Sequence, residues 1–137
     1  MRHSWYRLLI CAAVVIGVAL ATALVEAHHA FSAEFDVDKP IRLQGKLVKW
    51  EMINPHSWFH IEVQDAAGTT VWMIEAGSPN QLIRLGVTKN TIKVGQELVV
   101  EGYQAKDGTM KGVGRNFALP DGTRLFLGGS APNAPQK

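Results

Sequence analysis

The chain has 137 residues, with 14 basic and 12 acidic side chains and one cysteine. This length suits one modest domain, and the nearly balanced charge offers no basic stripe of the kind that binds nucleic acid. The only cysteine, Cys11, lies in an apolar run near the start. Disulfides, thiolate metal sites and cysteine nucleophiles are therefore excluded from the rest of the chain.

Residues 1–27 have the features of a signal peptide. A basic head containing Arg2 and Arg7 precedes an uncharged apolar run from residue 8 to 24, and Ala27 ends an acceptable exit sequence. We expect cleavage after Ala27; the alternative is an uncleaved anchor, which would be the only contact with a membrane. In both cases the rest of the chain is periplasmic or secreted, because the positive end stays in the cytoplasm.

The exported part divides into three predicted regions. Residues 28–40 form a histidine-rich N-terminal arm, residues 41–127 a β-domain and residues 128–137 a flexible tail. Alternating apolar and polar residues predict strands in the β-domain. Their expected bounds are 41–51, 57–64, 69–76, 96–104 and 109–119, with a brief edge strand at 123–127.

A short helix is predicted between the third and fourth strands. Ser78 is a suitable N-cap, Pro79 suits the first helical position, and Gly86 ends the apolar helical pattern after Leu85. Three strands, a helix and two strands is the order of a five-stranded OB-like barrel. The prediction is therefore an all-β domain with one short helix; the alternative is an open β-sandwich with an added helix.

The segment around His56 is the first candidate site. On an extended strand, Ser57 and Phe59 face the core, whereas His56, Trp58 and His60 share the other face. Positions four apart on a strand are about 13 Å apart, too far for both imidazoles to bind one metal. A metal site that includes either histidine therefore needs ligands from elsewhere in the chain.

Several short motifs follow one another along the exported chain. They are His28-His29-Ala30-Phe31, Asn54-Pro55-His56, Ser78-Pro79 and Leu119-Pro120-Asp121-Gly122. With these motifs the chain resembles a family of small exported bacterial proteins known as a domain of unknown function. The pattern covers nearly the whole exported chain, and the chain departs from it at Ala30, where serine is expected, and at Gln96, where aspartate is expected. The resemblance implies export and a β-barrel-like domain, and it implies no activity.

The sharpest functional hypothesis is a copper site. Cleavage after Ala27 makes His28 the first residue, so that its amine and imidazole together chelate one ion. This looks like the histidine brace of lytic polysaccharide monooxygenases. His29 or His56 would supply a further nitrogen, a donor set that suits Cu(II). An oxygen ligand could come from Glu34, Asp36 or Glu75. In the alternative interpretation the histidine pair is an ordinary chain terminus, and His56 is a turn residue bonded to backbone.

A second pair of residues has a structural interpretation. Glu75 at the end of the third strand and Arg84 on the helix are expected to form an ion pair that fastens the helix to the barrel.

The sequence contains no nucleophile with a nearby base, no phosphate loop and no zinc spacing, so we predict no enzyme activity. The expected function is a binding or accessory module that binds Cu(II) through His28. The alternative is a metal-free module in which Trp58 and His60 hold a partner protein or a glycan. A redox enzyme of the brace type is the third hypothesis.

Overall fold

The computed structural model describes residues 10–14 and 31–129. Residues 10–14 and 31–34 are helical. The regular elements that follow are β1 (Phe35–Glu51), β2 (Ser57–Asp65), β3 (Gly68–Ala76), α1 (Pro79–Arg84), β4 (Glu97–Ala105), β5 (Lys111–Ala118) and β6 (Arg124–Phe126). None of the helices in the described ranges has the length and apolar character needed to cross a membrane. The rest of the predicted signal peptide, the pair His28-His29 and residues 130–137 lie outside the described residues.

The strands form one sheet that closes on itself. Its order is β3-β2-β1-β4-β5-β6, and β5 also pairs in parallel with β3. Five strands therefore form a ring, β1-β2-β3-β5-β4, while β6 pairs with the later part of β5. This confirms the predicted all-β, barrel-like fold with a short helix between the third and fourth strands. From β2 onward the strand ends lie within two residues of their predicted positions.

Two glycines allow neighbouring strands to approach closely. A Cβ atom at Gly45 would lie 2.2 Å from the carbonyl oxygen of Glu62, and one at Gly102 would lie 2.0 Å from that of Val113. The β4–β5 register also shifts next to Gly102, where the strands bend. Without these two glycines the ring would have to widen at both places.

The main core fills the ring. Phe59 and Phe117 form an edge-to-face pair there, with ring centroids 4.8 Å apart at an interplanar angle of 88°. Ser57, Phe59 and Ile61 are completely buried, as the alternating pattern of β2 predicts. The other buried members are Leu47, Ile74, Ala76, Leu82, Val87, Ile92, Leu98, Val100 and Leu127.

A second apolar cluster fastens the N-terminal arm to the sheet. It contains Phe31, Phe35, Tyr103, Ala105 and Val113. The rings of Phe31 and Tyr103 meet edge to face at 5.8 Å, and Phe31 is only 4% exposed. The first strand begins at Phe35, six residues earlier than predicted, so residues 35–40 belong to the sheet and not to the arm. Both clusters and all six strands lie within residues 31–129, which therefore contain the folded unit.

The helix α1 matches its predicted signals. Its N-cap is Ser78, whose hydroxyl oxygen accepts a 3.4 Å hydrogen bond from the backbone N–H of Gln81. Pro79 occupies the first turn, and Leu82 is the residue buried against the core. The chain leaves the helix through Gly86, which adopts a φ of +83°.

Candidate functional site

The candidate site lies on the outer face of the ring, where β2, β3 and β5 meet. Trp58 of β2 is directly opposite Glu75 of β3, and His56 immediately precedes β2. The parallel β3–β5 pairing brings Lys111 alongside Met73. We call the resulting group, which also receives one side chain from the arm, the Glu75 cluster. Its members are Glu34, His56, Trp58, Glu75 and Lys111.

At the centre of the cluster is a buried carboxylate. Glu75 is 5% exposed, and its Oε1 lies 2.8 Å from Nδ1 of His56. Burial raises the pKa of Glu75 above its ordinary value, and the nearby charge of Glu34 adds to this effect, whereas His56 and Lys111 oppose it. Glu75 is thus an ionisable group whose charge depends on the cations around it.

The ion-pair contact with Glu75 places Nδ1 of His56 against the carboxylate. When Nδ1, the nitrogen beside the carboxylate, carries the proton, the lone pair of Nε2 is available to a ligand. The side chain of His56 is 41% exposed, and within the described ranges no hydrogen bond engages its Nε2. Histidines that bind metals commonly donate their other ring N–H to a carboxylate, and the contact between His56 and Glu75 brings such a pair of groups together.

The arm reaches the cluster through Glu34. Its carboxylate forms an ion pair with Lys111, and its backbone carbonyl accepts a 2.9 Å hydrogen bond from the N–H of Lys106. The ammonium of Lys111 also lies 4.9 Å from the centroid of the Trp58 ring, a cation–π distance. Lys111 therefore connects the arm to the face of β2 that carries Trp58.

His60 lies on the same face but in a different environment. Its Nε2 is 2.9 Å from Glu51, and its side chain is only 15% exposed. Lys49 lies 3.0 Å from the same carboxylate. Two hydrogen bonds lower the pKa of Glu51, the one from Lys49 with the larger effect and the one from His60 with the smaller. His56 and His60 therefore contact different carboxylates.

The structure brings together only part of the predicted ligand set. His56 contacts Glu75, and Glu34 acts electrostatically on Glu75, whereas Asp36 is engaged with Lys39 at 3.8 Å. His28 and His29 lie outside the described residues. In the part of the chain that is described, no three or more His, Cys, Asp or Glu side chains form a group able to hold a metal ion. A metal would therefore need ligands from the start of the chain.

The predicted ion pair between Glu75 and Arg84 is wrong. Glu75 pairs with His56, and Arg84 is exposed on α1. The reason is that Glu75 is on the outer face of β3, opposite Trp58, so its nearest cations come from β2 and β5. The helix is instead fastened by Leu82 in the core and by its N-cap.

Sequence reasoning missed Lys111 and did not connect it with Glu34. The two residues are 77 positions apart in the chain, and they meet because the arm packs on β4 and β5. The only signal was that Lys111 opens a strand after a hairpin turn, which does not indicate its neighbours. Trp58, which the alternating pattern predicts on the face opposite the core, lies outside both buried clusters.

The sequence profile of DUF6152, a family of unknown function, matches residues 14–116. The chain belongs to this family, which confirms the expected resemblance to a domain of unknown function. The matched range includes the histidine pair and every member of the Glu75 cluster. No curated protein shows significant similarity to the chain.

Proposed function

We propose that the protein is an exported binding module without enzyme activity that binds Cu(II) through the amine and imidazole of His28, with His56 as a ligand from the domain. The observation that carries the proposal is the 2.8 Å contact between Nδ1 of His56 and the carboxylate of buried Glu75. It places Nδ1 against a carboxylate and leaves Nε2 open to a ligand, and a carboxylate that accepts the other ring N–H raises the basicity of a ligating nitrogen. Nitrogen donors of this kind favour copper over other divalent first-row metals.

The attachment of the arm supports a meeting between His28 and His56. Phe31 is buried against the sheet, and a chain extends by at most about 3.5 Å per residue. His28 therefore remains tethered within about 10 Å of Phe31. Glu34 follows Phe31 by three residues, and it lies near enough to Glu75 for its charge to raise the pKa of that carboxyl group. A terminus tied so close to the cluster loses less freedom when it binds a shared ion.

Charge also favours a cation at this position. Two carboxylates, Glu34 and Glu75, face one lysine, Lys111. A Cu(II) ion ligated by His56 would offset the second negative charge, and Glu75 would then bond to a metal-bound imidazole. His60 lacks these advantages because it is largely buried and its Nε2 is already bonded to Glu51.

The test compares two histidine variants of the protein that begins at His28. We expect His56→Ala to weaken Cu(II) binding, measured by calorimetry, by about tenfold or more, a typical cost of disturbing a metal site. His60→Ala is the matched control, because it removes an imidazole from the same face of β2, and it should bind copper as the native protein does. Equal effects of the two substitutions would refute the role of His56.

Export is part of the proposal and has its own test. We expect the mature protein recovered from the producing cell to begin at His28, as determined by its mass and N-terminal sequence. A mature chain that starts at another residue has no His28 amine to bind metal, and it would overturn the proposed ligand set.

An alternative function rests on Trp58. Its ring is partly exposed next to Lys111, and an aromatic face with an adjoining cation suits a glycan or a partner protein. Binding of the metal-free protein to a glycan array, lost on Trp58→Ala, would support this alternative. It would compete with the copper proposal only if the native protein failed to take up Cu(II).

A further inference from the structure

One edge of β3 is paired along its whole length, whereas the other edge is paired over three residues only. The strand pairs with β2 along all nine residues, from Gly68 to Ala76. Its other edge is paired with β5 only at Met73, Ile74 and Glu75. Within the described ranges no strand pairs with that edge over residues 68–72, so the ring is open on this side.

The backbone groups on the open edge can be identified. The N–H of Met73 donates to the carbonyl of Met110 at 2.9 Å, which shows that Met73 directs its backbone away from β2. In an antiparallel ladder, residues two apart direct their N–H and C=O groups to the same side. Thr69 and Val71 therefore direct theirs to the open edge, whereas Thr70 and Trp72 direct theirs to β2.

The open stretch lacks the usual protection against strand pairing. Its sequence, Gly-Thr-Thr-Val-Trp, contains no charge and no proline, and the β2–β3 register runs without a bulge. Val71 is 45% exposed and Met73 42% exposed. Natural edge strands normally carry lysine, proline or a bulge that prevents another strand from adding. A neutral edge rich in strand-forming residues is therefore suited to accept one.

We propose that this edge pairs with the same edge of a second copy of the chain, antiparallel, about a two-fold axis at Thr70. The open stretch is five residues long and centred on Thr70. An axis at Thr70 therefore pairs the whole stretch in both copies and keeps the pairing of β3 with β5. Thr69 of one copy then faces Val71 of the other, and the reverse, giving four backbone hydrogen bonds. The paired segments bring no like charges together, because the stretch has none.

The proposed interface is small. Stable complexes bury about 800 Å² on each partner, which a five-residue edge with two exposed side chains does not reach. We therefore expect a dimer that forms only at high protein concentration. The proposal is independent of copper, so its test uses metal-free protein that begins at His28.

The experiment is sedimentation equilibrium over a series of concentrations with two lysine variants. Val71→Lys places a charge on the open edge, whereas Ile83→Lys places one on α1, where Ile83 is 55% exposed. We expect the native protein and Ile83→Lys to dimerise as concentration rises and Val71→Lys to remain monomeric. Hydrogen exchange on the native protein gives a second readout. The amides of Thr69 and Val71 should gain protection with concentration, whereas that of Thr70 should not change.

Three results would overturn the proposal. The first is a native protein that stays monomeric throughout the series. The second is an equal response of both lysine variants. The third is protection of Thr69 and Val71 that is independent of concentration and is lost when the chain is ended at residue 129. That result would identify the chain's own C-terminal tail as the occupant of the edge.

Discussion

Glu75 illustrates how one register position determines the chemistry of the site. A carboxylate removed from water is costly unless a cation or donor compensates it, and His56 does so at 2.8 Å. His56 can do this because Trp58 lies opposite Glu75, so the residue two positions earlier in the chain reaches the same carboxylate. The result is an imidazole with one nitrogen against a carboxylate and the other open.

We expect the pKa of the Glu75 carboxyl group to lie above its ordinary value of 4.5, because burial disfavours the charged form. In His56→Ala its pKa should rise further, since the positive charge that opposes burial is removed. Carbon-detected NMR titration of the two proteins measures both values. A pKa of Glu75 that falls on removal of His56 would show that the two groups are not coupled as described.

The sequence predicted some of these residues and missed others for physical reasons. Alternation along β2 was enough to put His56 and Trp58 on the outer face. Which side chain pairs with Glu75 also depends on the β2–β3 register, and the turn at Asp65–Gly68 determines that register. The predicted pairing of Glu75 with Arg84 did not take the register into account. Lys111 arrives through a parallel pairing of distant strands, and no local pattern contains that information.

At the scale of the elements, the helix α1 depends on one side chain, that of its N-cap Ser78. It is only six residues long, so its first turn is a large share of the helix. We expect Ser78→Ala to lower the free energy of unfolding by about 1 kcal/mol, the usual cost of a lost N-cap. Ile83→Ala, on the exposed side of the same helix, is the control and should change stability by less than about 0.5 kcal/mol. Urea unfolding measures both, and equal stability of Ser78→Ala and native protein would refute the capping role.

The turn between β4 and β5 provides a pH-dependent prediction. Asp107 accepts hydrogen bonds from the backbone N–H and the hydroxyl of Thr109, at 3.0 and 2.7 Å. These bonds lower the pKa of Asp107 below its ordinary value of 3.8. Because the folded-state pKa is the lower one, this stabilisation is present above pH 3.8 and is lost as pH falls through the folded-state value.

We therefore expect Asp107→Asn to lower the Tm at pH 7 and to have a smaller effect as the pH falls below 3.8. Thermal unfolding across this pH range measures the difference. Asp38→Asn, at an exposed carboxylate in β1, is the matched control for removal of one negative charge. A deficit of Asp107→Asn that stays constant or grows in acid would mean that the charge of Asp107 does not strengthen the turn.

At the scale of the whole molecule, the order of the strands and the helix along the chain follows from patterns that the sequence shows. The early start of β1 does not, because residues 36–40 are mostly polar and exposed and resemble a loop. They form a strand because Phe35 and Pro40 pair with Ala105 and Tyr103 of β4. The same pairing packs the arm on the sheet, which no periodicity within the arm could indicate.

Attachment of the arm should affect metal binding from a distance. Phe31→Ala removes the ring that packs on Tyr103, so the start of the chain is held less firmly near Glu75. We expect weaker Cu(II) binding with an unchanged far-ultraviolet circular dichroism spectrum. Phe126→Ala, at a 40% exposed phenylalanine in β6, is the control and should bind copper normally. Native-like affinity in Phe31→Ala would separate the arm from the site.

The central claim is that the amine of His28 is a copper ligand. The most direct measurement is a Cu(II) titration near pH 7, followed by electron spin resonance, of two proteins that differ by one glycine added before His28. A terminal amine has a pKa near 8 and must lose its proton to bind, so binding should also weaken as the pH falls. We predict that the extended protein loses most of its affinity while its unfolding curve matches that of the native protein. Equal affinity and identical spectra for the two proteins would contradict the claim.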